Sequence, residues 1–207
     1  MSHVSSSDRL GLRVARLEDV PALKELIAVS VRALQNAEYT QAQIEGALGT
    51  VYGTDKVMIG DGTFFVVEDG SAIVGCGGWS RRRTGFGSDD SPVKDDSFLD
   101  PTSDPAKIRA FFVHPGWVRR GIATRILLAC EQAARDAGFK RFELVSTLTG
   151  VPLYRRRGYV EVEIVTMTLP NSEPYRAVRM RKEAITQAPV SQHPHERQSD
   201  DNACLET

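Results

Sequence analysis

The alternation of apolar and polar positions predicts strands and helices in turn along the first part of the chain. Residues 12–16 alternate apolar and polar side chains, which is typical of a short strand. Asp19 then fits the N-cap of a helix that carries Pro21 in its first turn, and apolar residues follow at helical spacing. A second helix is predicted from Thr40 to about Leu48.

A hairpin is predicted next. Residues 63–67 form an apolar run, Asp69-Gly70 is a strong turn signal, and residues 73–79 return as the partner strand. The segment from Trp79 to Ile108 is polar and rich in Gly, Ser, Asp and Pro. Connections of that length in a compact domain are usually functional or mobile.

The second half repeats the alternation and ends without periodicity. Its predicted elements are a strand at 108–113, an amphipathic helix from Ile122 to a cap at Gly138, a strand at 141–145, a short helix at 151–158, and strands at 159–168 and 177–182. The pattern predicts one α/β domain with a mixed sheet over residues 10–183, after a flexible N-terminus at 1–9 and before a disordered tail at 184–207.

Composition narrows the class of protein. The 207 residues include 26 Lys and Arg against 27 Asp and Glu, a net charge of −1 that gives no bulk attraction to nucleic acid or anionic membrane. No apolar run approaches the roughly 20 residues of a membrane span, and the start lacks a secretory pattern. Cys76, Cys130 and Cys204 form no CxxC pair, so neither a disulfide framework nor a metal site is expected. So few cysteines favour a reducing compartment, and we expect a cytoplasmic location.

Candidate chemistry lies where the strand at 108–113 passes through a turn into the long helix. The unpaired N–H groups at a helix start suit a phosphate. Gly121 and Ala123 keep side chains away from those amides, and Arg119 and Arg120 add positive charge. Taken alone, these residues also fit an ordinary strand–turn–helix connection. A second motif, residues 153–159, makes the combination more specific.

Together these segments resemble the GCN5-related N-acetyltransferase (GNAT) superfamily. Residues 113–115 match its V-x-P strand end, residues 118–123 match its [QR]-x-x-G-x-[GA] loop, and residues 153–159 match (F/L)-Y-x-x-x-G-(F/Y). The resemblance implies a GNAT-like single domain, in which a mixed, mostly antiparallel sheet is splayed between two parallel strands and flanked by helices.

The resemblance also implies a cosubstrate and a set of site residues. Acetyl-CoA would lie in the gap between the strands at 108–113 and 141–145, opened by a bulge in the earlier strand. Phe111 is matched to the donor for the thioester carbonyl, Val113 to the pantetheine contact, and Tyr154 to the acid that protonates the departing thiolate. The implied cofactor-binding residues are Phe111, Phe112, Val113, Arg119, Arg120, Gly121, Ile122, Ala123 and Thr124.

Several positions depart from the family pattern. Val118 replaces the usual Gln or Arg, and Thr147 stands where an Asn is often found. No general base stands out, because Lys107 and Arg109 occupy strand positions that hold a carboxylate or His in some relatives. Glu45 is a candidate base, with a solvated carboxylate or a water chain as alternatives.

Two classes of function remain open. The first is an acetyl-CoA-dependent N-acetyltransferase acting on a small-molecule or protein amine, as a monomer or homodimer without nucleic acid or membrane partners. The second is a catalytically weak module that binds CoA as a sensor or partner. A Rossmann nucleotide binder ranks behind both, since no GxGxxG follows the first strand.

Trp79 either lines the acceptor pocket or fills the core. The arginines at 81–83 and 155–157 are either solvated or, for the first run, part of a site for an acidic acceptor.

Overall fold

The computed structural model describes residues 10–91 and 95–184 of the chain, which form five α-helices and seven strands. The helices are α1 (Val20–Leu34), α2 (Gln41–Ala47), α3 (Lys56–Gly60), α4 (Ile122–Asp136) and α5 (Val151–Arg156). The strands are β1 (Leu10–Val14), β2 (Phe64–Asp69), β3 (Ala72–Ser80), β4 (Ala106–Val113), β5 (Arg141–Thr147), β6 (Val160–Thr168) and β7 (Pro174–Glu183).

The helices begin and end largely where the sequence predicts. Asp19 is the N-cap of α1 with Pro21 in the first turn, and the Thr40 hydroxyl accepts a hydrogen bond from the Gln43 amide at the start of α2. Helix α3 was not predicted, because five residues are too few to show a helical period. It forms because the Asp55 carboxylate accepts from the Met58 amide at 3.0 Å and the helix buries Met58 against the sheet.

The seven strands make one sheet in the order β1-β2-β3-β4-β5-β7-β6. Among the described strands, β4 and β5 are the only parallel neighbours, and they pair only at Ala106 with Phe142 and at Lys107 with Glu143. Beyond that point the two strands separate. The mixed, mostly antiparallel sheet with a splayed parallel pair is therefore confirmed.

A bulge in β4 accompanies the separation. Cys76 pairs with Phe112 and Gly78 with Arg109, so β4 uses one more residue than β3 over this stretch. Ala110 lies inside the bulge with a φ of 62°, in the left-handed region that a residue with a Cβ rarely adopts. The extra residue bends β4 away from its parallel neighbour, as the resemblance implied.

Two hydrophobic clusters cover the opposite faces of the sheet. Helix α4 packs on one face through Ile122, Ile126 and Cys130. Helices α1, α2 and α3 pack on the other, where Leu23, Ile27, Ile44 and Met58 meet the far side of the central strands. The gap between β4 and β5 is open to both faces, here called the α4 face and the α1–α2 face.

The two terminal segments predicted to flank the domain lie almost entirely outside the described residues. The N-terminal segment 1–9 and residues 185–207 of the predicted tail lie outside the described residues. Ala184, assigned from the sequence to the tail, donates its amide to the Lys140 carbonyl at 2.7 Å. Within residues 10–91 and 95–184, no helix has the length and apolar character to cross a bilayer.

Candidate active site

A cavity of about 660 Å³ occupies the gap between β4 and β5 and opens toward both faces of the sheet. Its walls come from β4, the turn before α4, the end of β5, α5 and, on the other face, α1 and two loops. Of the predicted site residues, Arg120 does not line it. The lining includes Phe111, Phe112, Val113, Arg119, Gly121, Ile122, Ala123, Thr124 and Tyr154.

The β4 backbone turns hydrogen-bonding groups into this gap. The amide of His114 donates to the Val74 carbonyl, so the alternation of an antiparallel pair directs the Val113 N–H away from β3. That N–H lies 3.3 Å from the Ser30 hydroxyl of α1. Because 3.3 Å is at the long end for such a bond, the Ser30 hydroxyl satisfies the amide only weakly. A ligand carbonyl could therefore replace it.

The start of α4 forms a cluster of free amides at one end of the cavity. Gly121 is the N-cap, with a φ of 78°, and no side chain caps the helix. The first-turn amides of Ile122, Ala123 and Thr124 consequently have no partner within the helix. Arg119 also has a positive φ, 65°, and left-handed residues in a turn are typical of backbone concavities that bind anions through successive N–H groups. This arrangement suits an anion, and a diphosphate in particular.

Arginines surround the same end. Arg119 and Arg156 line the cavity, and Arg157 donates to the Thr124 hydroxyl at 3.3 Å. The guanidinium of Arg120 instead lies over the Trp117 ring, 5.9 Å from its centroid, so only its backbone could serve the predicted role. Arg156 belongs to a run that the sequence left as solvated charge, because its approach to α4 depends on the tertiary fold.

Tyr154 lies on the α4 face in the middle of the cavity wall. Its ring meets Phe111 edge-to-face at 6.1 Å and Tyr159 at 5.8 Å, and only 8% of the residue is exposed. No hydrogen-bond partner of its hydroxyl is found among the described residues. Burial raises the pKa of Tyr154 well above its usual value near 10, so the phenol stays protonated across the working pH range. The hydroxyl is therefore available as a hydrogen-bond donor.

A buried ion cluster holds the far side of Tyr154 in place. The Tyr159 hydroxyl donates to the Glu131 carboxylate at 3.0 Å, and the Lys182 ammonium contacts both oxygens of that carboxylate at 2.9 and 2.8 Å. Glu131 is 2% exposed. Since Tyr159 packs on the Tyr154 ring, this cluster fixes the angle at which Tyr154 enters the cavity.

The α1–α2 face of the cavity is aromatic. The hydroxyls of Tyr52 and Tyr175 share a hydrogen bond, and the Tyr39 ring stacks on Tyr175 with centroids 4.6 Å apart. Phe112 meets Tyr52 edge-to-face at 5.9 Å. Phe86, 41% exposed, borders the opening from the long loop after β3. The sequence singled out none of the three tyrosines, because they lie far apart in the chain.

Arg109 occupies a strand position that holds a carboxylate or His in some relatives, and in this structure it joins two loops to the sheet. Its guanidinium pairs with Asp55 at 2.9 Å, with both side chains at most 6% exposed, and donates to the Thr84 and Gly87 carbonyls at 2.8 and 2.6 Å. Burial lowers the pKa of Arg109 from its usual value, while the Asp55 carboxylate opposes that change. The Thr84–Gly87 segment, and Phe86 within it, is thereby held against the cavity.

The structure does not bring the other candidate base to the cavity. Glu45 is 43% exposed and forms an ion pair with Arg32 at 2.8 Å, which lowers the pKa of the carboxyl group. Lys107 pairs with Glu143 at 2.6 Å. Among the described residues, no carboxylate and no imidazole lines the cavity. Thr147 does line it, but its hydroxyl accepts from the Gly150 amide.

The remaining candidate residues lie in the core or in ion pairs away from the cavity. Trp79 is 5% exposed and packs edge-to-face on Phe139, so it fills the core. Arg82 pairs with Asp61 at 2.7 Å, away from the cavity. Cys76 and Cys130 are buried free thiols. In the part of the chain that the structure describes, no cluster of three or more His, Cys, Asp or Glu could hold a metal ion.

Comparison with known proteins supplies the family. The profile of the acetyltransferase (GNAT) family matches residues 28–159. No curated protein sequence gives a significant match. A GCN5-related N-acetyltransferase from Rhodopseudomonas palustris is similar in structure, with a TM-score of 0.62 and 19% identity over 84% of this chain and 94% of that one.

Two further solved structures contain the coenzyme. PaiA N-acetyltransferase from Thermoplasma acidophilum, in complex with coenzyme A, has a TM-score of 0.55 and 14% identity over 84% of this chain and 98% of that one. The acetyltransferase yncA from Salmonella typhimurium, with acetyl-CoA, has a TM-score of 0.56 and 14% identity over 88% and 99%. The TM-scores show a common fold, and the family profile covers well over half of the chain. The chain therefore belongs to the GNAT family of acetyltransferases.

Proposed function

We propose that this protein transfers the acetyl group of acetyl-CoA to a primary amine by direct attack within a ternary complex. One observation carries the proposal: a single cavity joins the free amides at the start of α4 to an aromatic pocket on the opposite face, through the gap between β4 and β5. Such a passage lets a coenzyme enter from one face and an acceptor from the other. Proximity of the two substrates then supplies much of the acceleration.

The coenzyme end follows from charge and geometry. The diphosphate binds the amides of Ile122, Ala123 and Thr124, with Arg119 and Arg156 beside it. Val118 offers no polar side chain there, but the backbone carries most of this binding. The pantetheine arm then lies along β4, where the Val113 amide exchanges the Ser30 hydroxyl for a pantetheine carbonyl.

The chemical step places the thioester between Phe111 and Tyr154. The neutral amine attacks the carbonyl carbon, the Phe111 amide stabilises the oxygen, and the C–S bond breaks as the amide bond forms. The amine proton leaves to solvent, the Tyr154 hydroxyl donates a hydrogen bond to the departing thiolate, and the thiolate takes its proton from solvent. Because burial raises the pKa of Tyr154 well above that of a thiol, full transfer is uphill, so the phenol acts as a hydrogen-bond donor and keeps its proton.

Coenzyme A thiol release, measured with a panel of primary amines, tests this proposal. Release that depends on both acetyl-CoA and amine is expected, with calorimetric binding of CoA to the protein. The Tyr154→Phe variant should lose at least about tenfold in kcat and keep its affinity for CoA, since one transition-state hydrogen bond is removed. CoA binding without thiol release from any amine would favour the sensor or partner module, and absence of binding would reject both.

A further inference from the structure

The acceptor end of the cavity shows which kind of amine it can hold. The residues that form it are here called the acceptor pocket: Leu34, Val51, Tyr52, Phe86, Met167 and Tyr175. They come from α1, the loop after α2, the long loop after β3, β6 and β7. None of them carries a charge, and three are aromatic.

The charge of the whole cavity has one sign. Its charged lining residues, among those the structure describes, are Arg109, Arg119 and Arg156. No described carboxylate lines it, so a second cationic group on an acceptor would be desolvated without an anion to pair with, which is strongly unfavourable. The pocket is thus unsuited to polyamines, aminoglycosides and lysine-rich peptides.

The aromatic wall is rigid. Tyr175 is 1% exposed and Tyr52 is 4% exposed, and each is fixed by the other's hydroxyl. Tyr39 stacks on Tyr175 with an interplanar angle of 5°, and its own hydroxyl accepts from the Leu148 amide and donates to the Arg176 carbonyl. Because so little of the Tyr52 and Tyr175 rings is exposed, the pair forms a fixed backing for the pocket, and the surface that a ligand covers belongs to the less buried members of the acceptor pocket.

Phe86 lines the same pocket from the long loop after β3. The Arg109 guanidinium bonds to the carbonyls of Thr84 and Gly87 on either side of it, and Ser88 continues the anchoring by donating from its amide to the Thr50 carbonyl at 2.9 Å. Phe86 is 41% exposed, so its ring has apolar surface left for a ligand to cover.

We propose that the acceptor is a primary amine on an aromatic or otherwise apolar body with no second cationic group, bound in the acceptor pocket against Phe86. This inference rests on the proposed acetyl transfer and adds its substrate class. The body of the acceptor covers the apolar walls, and its single amino group points through the gap toward the thioester. An aromatic body would add a ring contact with Phe86 to the affinity.

Steady-state thiol release with matched amines tests the class. 2-Phenylethylamine is compared with n-butylamine, putrescine and agmatine at saturating acetyl-CoA. The expected kcat/KM for 2-phenylethylamine exceeds that for putrescine and agmatine by at least about tenfold. Equal or higher kcat/KM for the dications would overturn the substrate class while leaving acetyl transfer intact.

A pair of phenylalanine variants locates the specificity. Phe86→Ala should raise KM for 2-phenylethylamine about tenfold and leave KM for acetyl-CoA unchanged. Phe98→Ala, on the same loop and 62% exposed, is the control and should change neither constant, because Phe98 does not line the cavity. The same KM for 2-phenylethylamine in both variants would contradict the placement of the acceptor beside Phe86.

Binding measurements separate the two hypotheses should thiol release be absent with every amine. The protein saturated with CoA is titrated with 2-phenylethylamine and with putrescine in a calorimeter. Binding of 2-phenylethylamine and not of putrescine supports the pocket assignment even if acetyl transfer fails. Binding of putrescine, or of neither amine, overturns it.

Discussion

The buried pair of Asp55 and Arg109 offers a sharp test of how the acceptor side is held together. Asp55→Asn keeps an oxygen that can cap α3 and removes the charge that faces the Arg109 guanidinium. The two side chains are 6% and 5% exposed, so the arginine is left as a buried cation with only carbonyl partners. Removal of one partner from such a pair typically costs about 3–5 kcal/mol.

That loss is measurable by urea denaturation. A domain whose free energy of unfolding exceeds that loss, as most of the usual range of about 5–15 kcal/mol does, remains folded, and its Tm falls by roughly 2–4 °C for each kcal/mol lost. The matched control is Glu45→Gln, which breaks an ion pair whose partners are 43% and 52% exposed. An exposed pair contributes about 0–1 kcal/mol, so this variant should stay within about 1 kcal/mol of the parent.

A double-mutant cycle of Asp55→Asn, Arg109→Met and the two combined completes the test. Adding Arg109→Met to Asp55→Asn removes the uncompensated charge and keeps the α3 cap, so part of the stability lost in Asp55→Asn should return. All of these variants should still bind CoA, since the pair lies on the face opposite α4. A free energy of unfolding for Asp55→Asn within about 0.5 kcal/mol of that for Glu45→Gln would refute the idea that this pair anchors the two loops.

Four further predictions address the coenzyme end and the chemistry. Gly121→Ala places a Cβ at a φ of 78° where no atom lies within 4 Å, so backbone strain alone should cost about 1 kcal/mol in urea denaturation, and a loss above about 3 kcal/mol would indicate a clash instead. Lys182→Met breaks the contacts of the ammonium with the buried Glu131 carboxylate, so it should destabilise the fold by about 3 kcal/mol. It should also lower kcat more than it raises KM for acetyl-CoA. An unchanged kcat would contradict the idea that this ion cluster positions Tyr154. The pH profile of kcat/KM should rise toward the pKa of the acceptor amine, because no described base lines the cavity, and an acceptor with a lower pKa should move the profile to lower pH by the same amount. Because burial raises the pKa of Tyr154, its protonated form persists as pH increases and no fall in kcat is expected below about pH 10; an alkaline fall near pH 8 that disappears in Tyr154→Phe would contradict this.

Much of the fold could be predicted from local patterns. The strands flanking Asp69-Gly70 form the predicted hairpin, and α4 begins at Ile122 as the apolar spacing indicated. These elements are long, and their period is set by the backbone itself. Strand β7 begins at Pro174 and not near Ala177, since its first residues pair with the end of β6 and owe their conformation to that partner.

The coenzyme end was also predictable, because it is contiguous in sequence. A strand, a turn with Gly121 and a helix start follow one another directly, so the amides that face the cavity can be named from the chain. The direction of the Arg120 side chain was not predictable. The sequence predicted that its charge adds to the phosphate site, but its guanidinium lies over the Trp117 ring. The direction of a long side chain depends on neighbours from other elements.

By itself, the sequence determined the family, the order of the elements and the backbone that can bind a diphosphate, because each depends on residues close together along the chain. Only the tertiary structure decided the acceptor side. Tyr52, Phe86, Arg109 and Tyr175 come from four separate segments, and they meet because the bulge at Ala110 and the separation of β4 from β5 open a space that those segments enclose. Glu45 also shows what the tertiary structure decides. The helical period of the sequence indicates which side of α2 carries Glu45, but only the packed structure shows that this side chain pairs with Arg32 and lies outside the cavity.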